Sequence, residues 1–168
     1  MACRLLFYIG MPNRPGRLKG FEYVGFVTYF VTTCTEKHLR AFDDVEFGRW
    51  AVAQLLRQAS LRKFEVSAYC LMPDHVHLLL RGRSDDADLR SFIISWNTRT
   101  AFCWRRQHHS QLWQKGYYDR VLRDSDDFFG IARYILRNPV EAGLVTRPED
   151  YALSGTTGYT MREFLYDD

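Results

Sequence analysis

A chain of 168 residues and 19.8 kDa has the size of one globular domain, and its 46% hydrophobic and 15% aromatic content excludes intrinsic disorder as a class. The longest apolar runs, such as Cys70–Met72 and Leu78–Leu80, are far too short to cross a bilayer, and Met1–Ile9 has neither the apolar length nor the cleavage site of a leader, so a cytoplasmic protein with no membrane partner is expected. Net charge is a mild +3, and the four cysteines (Cys3, Cys34, Cys70, Cys103) form no CxxC pair, which argues against structural zinc and against a disulfide framework.

Residues 1–20 carry Arg4, Arg14, Arg17 and Lys19 with no acid, and their Pro- and Gly-rich second half reads as a basic N-terminal arm. A single domain is expected over 21–145. Phe26–Thr33 is dense in aromatic and β-branched residues, the pattern of a strand. From Asp44 a helix follows, with Phe47, Trp50, Ala51 and Leu55 along one face. Phe64–Met72 reads as a second strand, Pro73-Asp74 as a tight turn and His75–Leu80 as a third strand. After Asp85–Asp88 comes another helix, with Leu89, Phe92, Ile93 and Trp96 on one side and Arg90, Arg99, Arg105 and Arg106 on the others. Leu112–Leu122 is expected as a strand pair broken at Gly116. A last helix starts near Ser125-Asp126-Asp127 and is expected to end by Asn138, because Pro139 disfavours helical geometry in the residue before it. Residues 146–168 complete an acidic C-terminal tail: from 141 to the end, six acids stand against Arg147 and Arg162. The order β-α-β-β-α-β-α predicts an α+β domain with helices packed on an antiparallel sheet.

Two features carry chemistry. In His75-Val76-His77, residues i and i+2 of a strand point to the same face with Cα atoms roughly 6.5–7 Å apart, so both imidazoles can converge on one metal ion while Val76 points to the opposite, apolar side. The spacing alone also allows two half-exposed strand histidines. In the last helix, Phe128, Ile131, Ala132 and Ile135 share the core face, and at ~100° per residue Tyr134 and Asn138 stack at i, i+4 on its border, flanked by Arg133 and Arg137. The pattern alone leaves open an edge-of-core aromatic and an ordinary helix-terminal amide. Trp113, Tyr117 and Tyr118, interleaved with Lys115, Arg120 and Arg123, suit either base stacking with phosphate contacts or core aromatics. Nineteen of the 23 basic residues are arginine, the better bidentate phosphate ligand.

Taken together, MPDHVHLLL (72–80), LWQKGYYDRVLRD (112–124), ARYILRNPVEAGLV (132–145) and Tyr151-Ala152-Leu153-Ser154 resemble the REP-associated tyrosine transposases, the cellular branch of the single-tyrosine HUH transposases. The basic RLKG (17–20) and YFVTTCT (29–35) fit the same family. The resemblance implies a ferredoxin-like α+β fold, with residues 21–145 as the HUH transposase domain. It implies a divalent Mg or Mn ion held by His75, His77 and Asn138, and Tyr134 as the nucleophile that forms a 5′-phosphotyrosine link. The implied partner is single-stranded or hairpin DNA, with repetitive extragenic palindromes as targets and no nucleotide cofactor; monomer and homodimer both stay open. Expected DNA contacts are Arg14, Arg17 and Lys19 of the arm, with Arg99, Lys115, Tyr117, Arg120, Arg133 and Arg137. A hairpin-binding protein without nuclease activity and a replication-initiator or relaxase-like nickase are the alternatives.

Overall fold

A computed structural model describes residues 20–124 and 126–166. The basic arm, with Arg14, Arg17 and Lys19, therefore lies outside the described residues. Strands form where the aromatic and β-branched runs are densest: β1 (Thr28–Cys34), β2 (Phe64–Met72) and β3 (His75–Gly82), the last two joined through Pro73 and Asp74. Two further strands, β4 (Tyr118–Leu122) and β5 (Ser154–Gly155), flank them in the order β4-β1-β3-β2-β5, and every pairing is antiparallel. The helices are α1 (Val45–Leu61), α2 (Leu89–His108), α3 (Phe128–Glu141) and α4 (Met161–Leu165). β1 to β4 with α1 and α2 make the ferredoxin-like αβ sandwich that the family resemblance implies.

Each long helix begins at an aspartate. Asp44, Asp88 and Asp127 accept hydrogen bonds from the backbone N–H groups of the first turns of α1, α2 and α3. Such a cap stabilises a helix by about 1 kcal/mol and fixes where it starts.

Strand alternation divides the core in two. Val76, Leu78 and Leu80 of β3 join Tyr29 and Val31 of β1 beneath α1 and α2, where Phe47, Leu55, Phe92 and Trp96 complete the larger cluster. The other face carries Phe30, Ala68, Cys70, Met72 and Leu79, covered by Ile131, Ala132, Ile135 and Leu136 of α3 and by Phe164 and Leu165 of α4. Cross-strand partners share a face, so the register places Thr32 and Cys70 beside His77 on the α3 side, Tyr118 beyond Thr32 on the same face, and Met72 beside His75.

Three stretches depart from expectation. Of the strand pair expected over Leu112–Leu122, only Tyr118–Leu122 is a strand; Trp113 makes one isolated bridge to Thr35. Its indole is buried, and its N–H donates to Thr100 Oγ1 at 2.9 Å, so side-chain packing against α2 replaces a second ladder. Helix α3 runs through Pro139 to Glu141 instead of stopping at Asn138. Proline forfeits its own N–H bond and crowds the preceding turn, but the last turn is closed by Ala142 N–H to Asn138 O (2.9 Å) and Leu144 N–H to Pro139 O (2.8 Å), while Leu136, Asn138 and Pro139 are buried. The acidic segment after 145 is packed as far as Leu165. Leu153, Phe164 and Leu165 are buried, and a Cβ on Gly48 of α1 would meet Leu153 Cδ1 at 2.5 Å.

Candidate active site and metal centre

The i, i+2 spacing brings His75 and His77 to one face, their ring centroids 4.8 Å apart. They are not half-exposed: only 2% and 1% of their surface reaches solvent. The burial follows from their place on a central strand, between β1 and β2 and under α3. Each ring is held by its Nδ1 atom. His75 Nδ1 lies 2.7 Å from Asp74 Oδ1, and His77 Nδ1 lies 2.8 Å from Thr32 Oγ1 on the neighbouring strand. With Nδ1–H donating to those oxygens, both Nε2 atoms are lone-pair bearers, and both are buried without a hydrogen-bond partner. Burial holds the His77 imidazole well below its usual protonation range, reinforced by the neighbouring His75. The Asp74 carboxyl is held below the usual carboxylate range by its bond to His75, and it also bonds His38 Nδ1 at 3.1 Å.

Helix α3 contributes the other two side chains. Tyr134 is half-buried, its ring 5.7 Å from that of His77 and 6.3 Å from that of Phe30, and it packs on the smaller core cluster. Asn138, one turn later, is fully buried, and both its amide oxygen and its amide nitrogen have no hydrogen-bond partner. A buried polar group left unpaired costs about 1–3 kcal/mol, so two Nε2 atoms and a whole carboxamide unpaired on one side of a sheet call for a ligand. Two imidazole nitrogens and an amide oxygen are neutral donors, a set that fits a divalent ion with open positions for water and phosphate oxygen. Among the described residues, no group of three or more His, Cys, Asp or Glu side chains is arranged to hold a metal ion; the third candidate donor here is an amide.

The remaining candidates divide. Arg137 is exposed on α3, whereas Arg133 donates from Nε to Phe164 O at 2.9 Å and so ties α3 to α4. Arg120 shares the histidine face of β4 but pairs with Asp126, which also accepts the Arg123 N–H at 2.7 Å and holds the turn into α3. Lys115 is exposed beside Gly116. Tyr117 faces the α1/α2 side and packs on the larger cluster, so its neighbour Tyr118 is the aromatic that shares the face with His77. Arg99 stands on the outer surface of α2, in the layer on the opposite side of the sheet. Sequence reasoning missed Thr32 and Asp74. Thr32 reaches His77 only through strand pairing across 45 positions, while Asp74 was signalled by its adjacency to His75.

Comparison with known proteins finds one family and several relatives. The family described as "Transposase IS200 like" matches residues 28–138, a span from the first residue of β1 to Asn138. A protein of Haemophilus influenzae named as a REP-associated tyrosine transposase is 30% identical over 102 residues, covering 54% of this chain and 58% of its own length. The Escherichia coli REP-associated tyrosine transposase is 26% identical over 106 residues, covering 60% and 62%. The chain thus spans about three-fifths of the length of the curated relatives that it matches. A solved structure of a REP-associated tyrosine transposase bound to a REP hairpin superposes with a TM-score of 0.67 at 20% identity, over 83% of this chain and 81% of that one, and shares the fold. No helix among the described residues is long and apolar enough to cross a membrane.

Proposed function

The chain belongs to the IS200-like transposase family, and from that premise we propose that it is a metal-dependent enzyme that nicks and rejoins single-stranded or hairpin DNA through a covalent link to Tyr134. The observation that carries this reading is the set of unpaired polar atoms on His75, His77 and Asn138, buried on the same sheet face as the Tyr134 ring. Those three side chains would hold the ion, Mg or Mn by the hardness of the exchangeable positions. When bound, the ion supplies charge neutralisation on a scissile phosphate.

The protein's own residues do the rest. The Tyr134 phenol oxygen attacks phosphorus; the new Oη–P bond forms as the P–O3′ bond breaks, leaving a 5′-phosphotyrosine and a free 3′-hydroxyl. The phenol proton leaves to solvent and the departing 3′ oxygen takes one up, so charge and atoms balance. In rejoining, a 3′-hydroxyl attacks the same phosphorus and tyrosine departs. One phosphodiester replaces another, and no nucleotide cofactor enters. Thr32 and Asp74 orient the imidazoles, and Phe30 packs beside Tyr134 to limit its motion. Arg137 and Lys115, both exposed, are the proposed holders of flanking phosphates, with the 1–20 arm as a further reader of the DNA. REP-type hairpins, the DNA bound in the solved structure that shares the fold, are the proposed target. Incubation with a REP-type hairpin oligonucleotide and Mn should give an SDS-resistant protein–DNA adduct that chelator abolishes; free nicked products without adduct would exclude the covalent route.

A further inference from the structure

The outer surface of the α1/α2 layer is charged in a way that the active site does not use. Helices α1 and α2 carry six arginines (Arg49, Arg57, Arg90, Arg99, Arg105, Arg106) against one acid, Glu46, in a chain whose totals are 23 basic and 20 acidic. All six are exposed, and among the described residues none forms a salt bridge. Between the two helices lies a cleft of about 680 Å³ lined by Trp50, Thr98, Arg99, Phe102, Cys103, Arg106 and Gln107, with no carboxylate among them. Phe102 is 64% exposed, and the Arg106 guanidinium sits 5.9 Å from its ring centre. Arg99 is anchored by its Nε to Gln54 Oε1 at 3.1 Å. The sheet separates this cleft from His75, His77 and Tyr134.

We infer that this cleft is a second nucleic-acid contact, which binds a single-stranded DNA segment remote from the scissile phosphodiester. An exposed aromatic ring beside arginines that no carboxylate neutralises is the combination that stacks a base and neutralises the phosphates on either side, and it is tolerant of sequence. The inference rests on the DNA-processing reading for its biological context, but the two can fail separately.

The test uses the full chain, with fluorescence anisotropy on a labelled oligo-dT strand. Phe102→Ala should weaken binding about tenfold, the scale of one lost base stack. Arg99→Gln with Arg106→Gln should lower the slope of log affinity against log salt by roughly 1.4, two phosphate contacts on a single strand. Melting temperatures should hold, since all three side chains are solvent-facing. Adduct formation on a short oligonucleotide that spans only the cleavage position should be unchanged. Affinity and salt slope equal to wild type would overturn the proposal, as would a Phe102→Ala defect confined to self-association in size-exclusion chromatography. Loss of strand affinity in these variants, in a protein that forms no adduct at all, would uphold the cleft while removing the proposed enzyme.

Discussion

The two faces of the sheet both bury polar atoms without partners, yet they do so differently. Under α1 and α2 the unpaired atoms include Tyr29 Oη and Thr33 Oγ1: single hydroxyl oxygens on separate side chains. Under α3 they are the Nε2 atoms of two adjacent imidazoles and both ends of the Asn138 amide. A lone hydroxyl is an acceptable imperfection, since its weak donor rotates and one water satisfies it. Two neutral nitrogen bases and an amide are the donor types that would suit a divalent ion. Unpaired polarity is thus informative when its chemistry matches that of a ligand, and the number of unpaired atoms alone is not.

The sharpest break between the faces comes from deletion. His75→Ala and His77→Ala should each abolish Mn binding in calorimetric titration together with adduct formation, while Thr33→Val on the other face should leave both intact and the melting temperature equal or higher. Because both rings are buried, the His variants need a parallel thermal melt to show that the fold survives. Mn binding at wild-type strength in either would place the ion elsewhere.

Next in size is the outer support of the donor set. Thr32→Val should weaken Mn binding about 10–100-fold by freeing the His77 ring, and Thr32→Ser should restore it. Valine keeps the shape, so a purely packing role for Thr32 would show no loss. Asn138→Leu should raise the Mn concentration needed for half-maximal adduct and also raise the melting temperature, because an unpaired amide gives way to an apolar group of similar volume. A lowered melting temperature with unchanged Mn dependence would mean that the amide serves packing alone. The smallest effect is electrostatic: Arg137→Gln should weaken hairpin binding a few-fold and flatten its salt dependence, with the chemical step unaffected. Arg133→Gln, in contrast, should lower stability through the lost bond to Phe164 O. A hairpin affinity that ignores Arg137 would remove it from the DNA footprint.

Much of this architecture was legible locally. The apolar and aromatic run over Phe64–Met72 and the aspartates before each helix mark elements by residue type within a few positions, and the HVH spacing places two rings on one face by strand geometry alone. Burial of those rings was not legible, because it depends on β1 and β2 flanking β3 and on α3 lying above. The register that separates Tyr117 from Tyr118 was lost for a related reason. Adjacent tyrosines in a basic stretch look alike until pairing with β1 sends Tyr118 to the histidine face and Tyr117 to the core. Pro139 misled because its bias against helical geometry is local, while the burial of Leu136 and Asn138 that overrides it is tertiary.

Tyr118 is consequently the rival that matters for the central claim, since it shares with Tyr134 the face on which the donor set lies. The direct test is proteolysis and mass spectrometry of the trapped adduct between the wild-type chain and a hairpin oligonucleotide. The DNA-linked peptide should contain Tyr134, and Tyr134→Phe should lose adduct and nicking together while keeping hairpin affinity. A linked peptide carrying Tyr118 in place of Tyr134 would contradict the account.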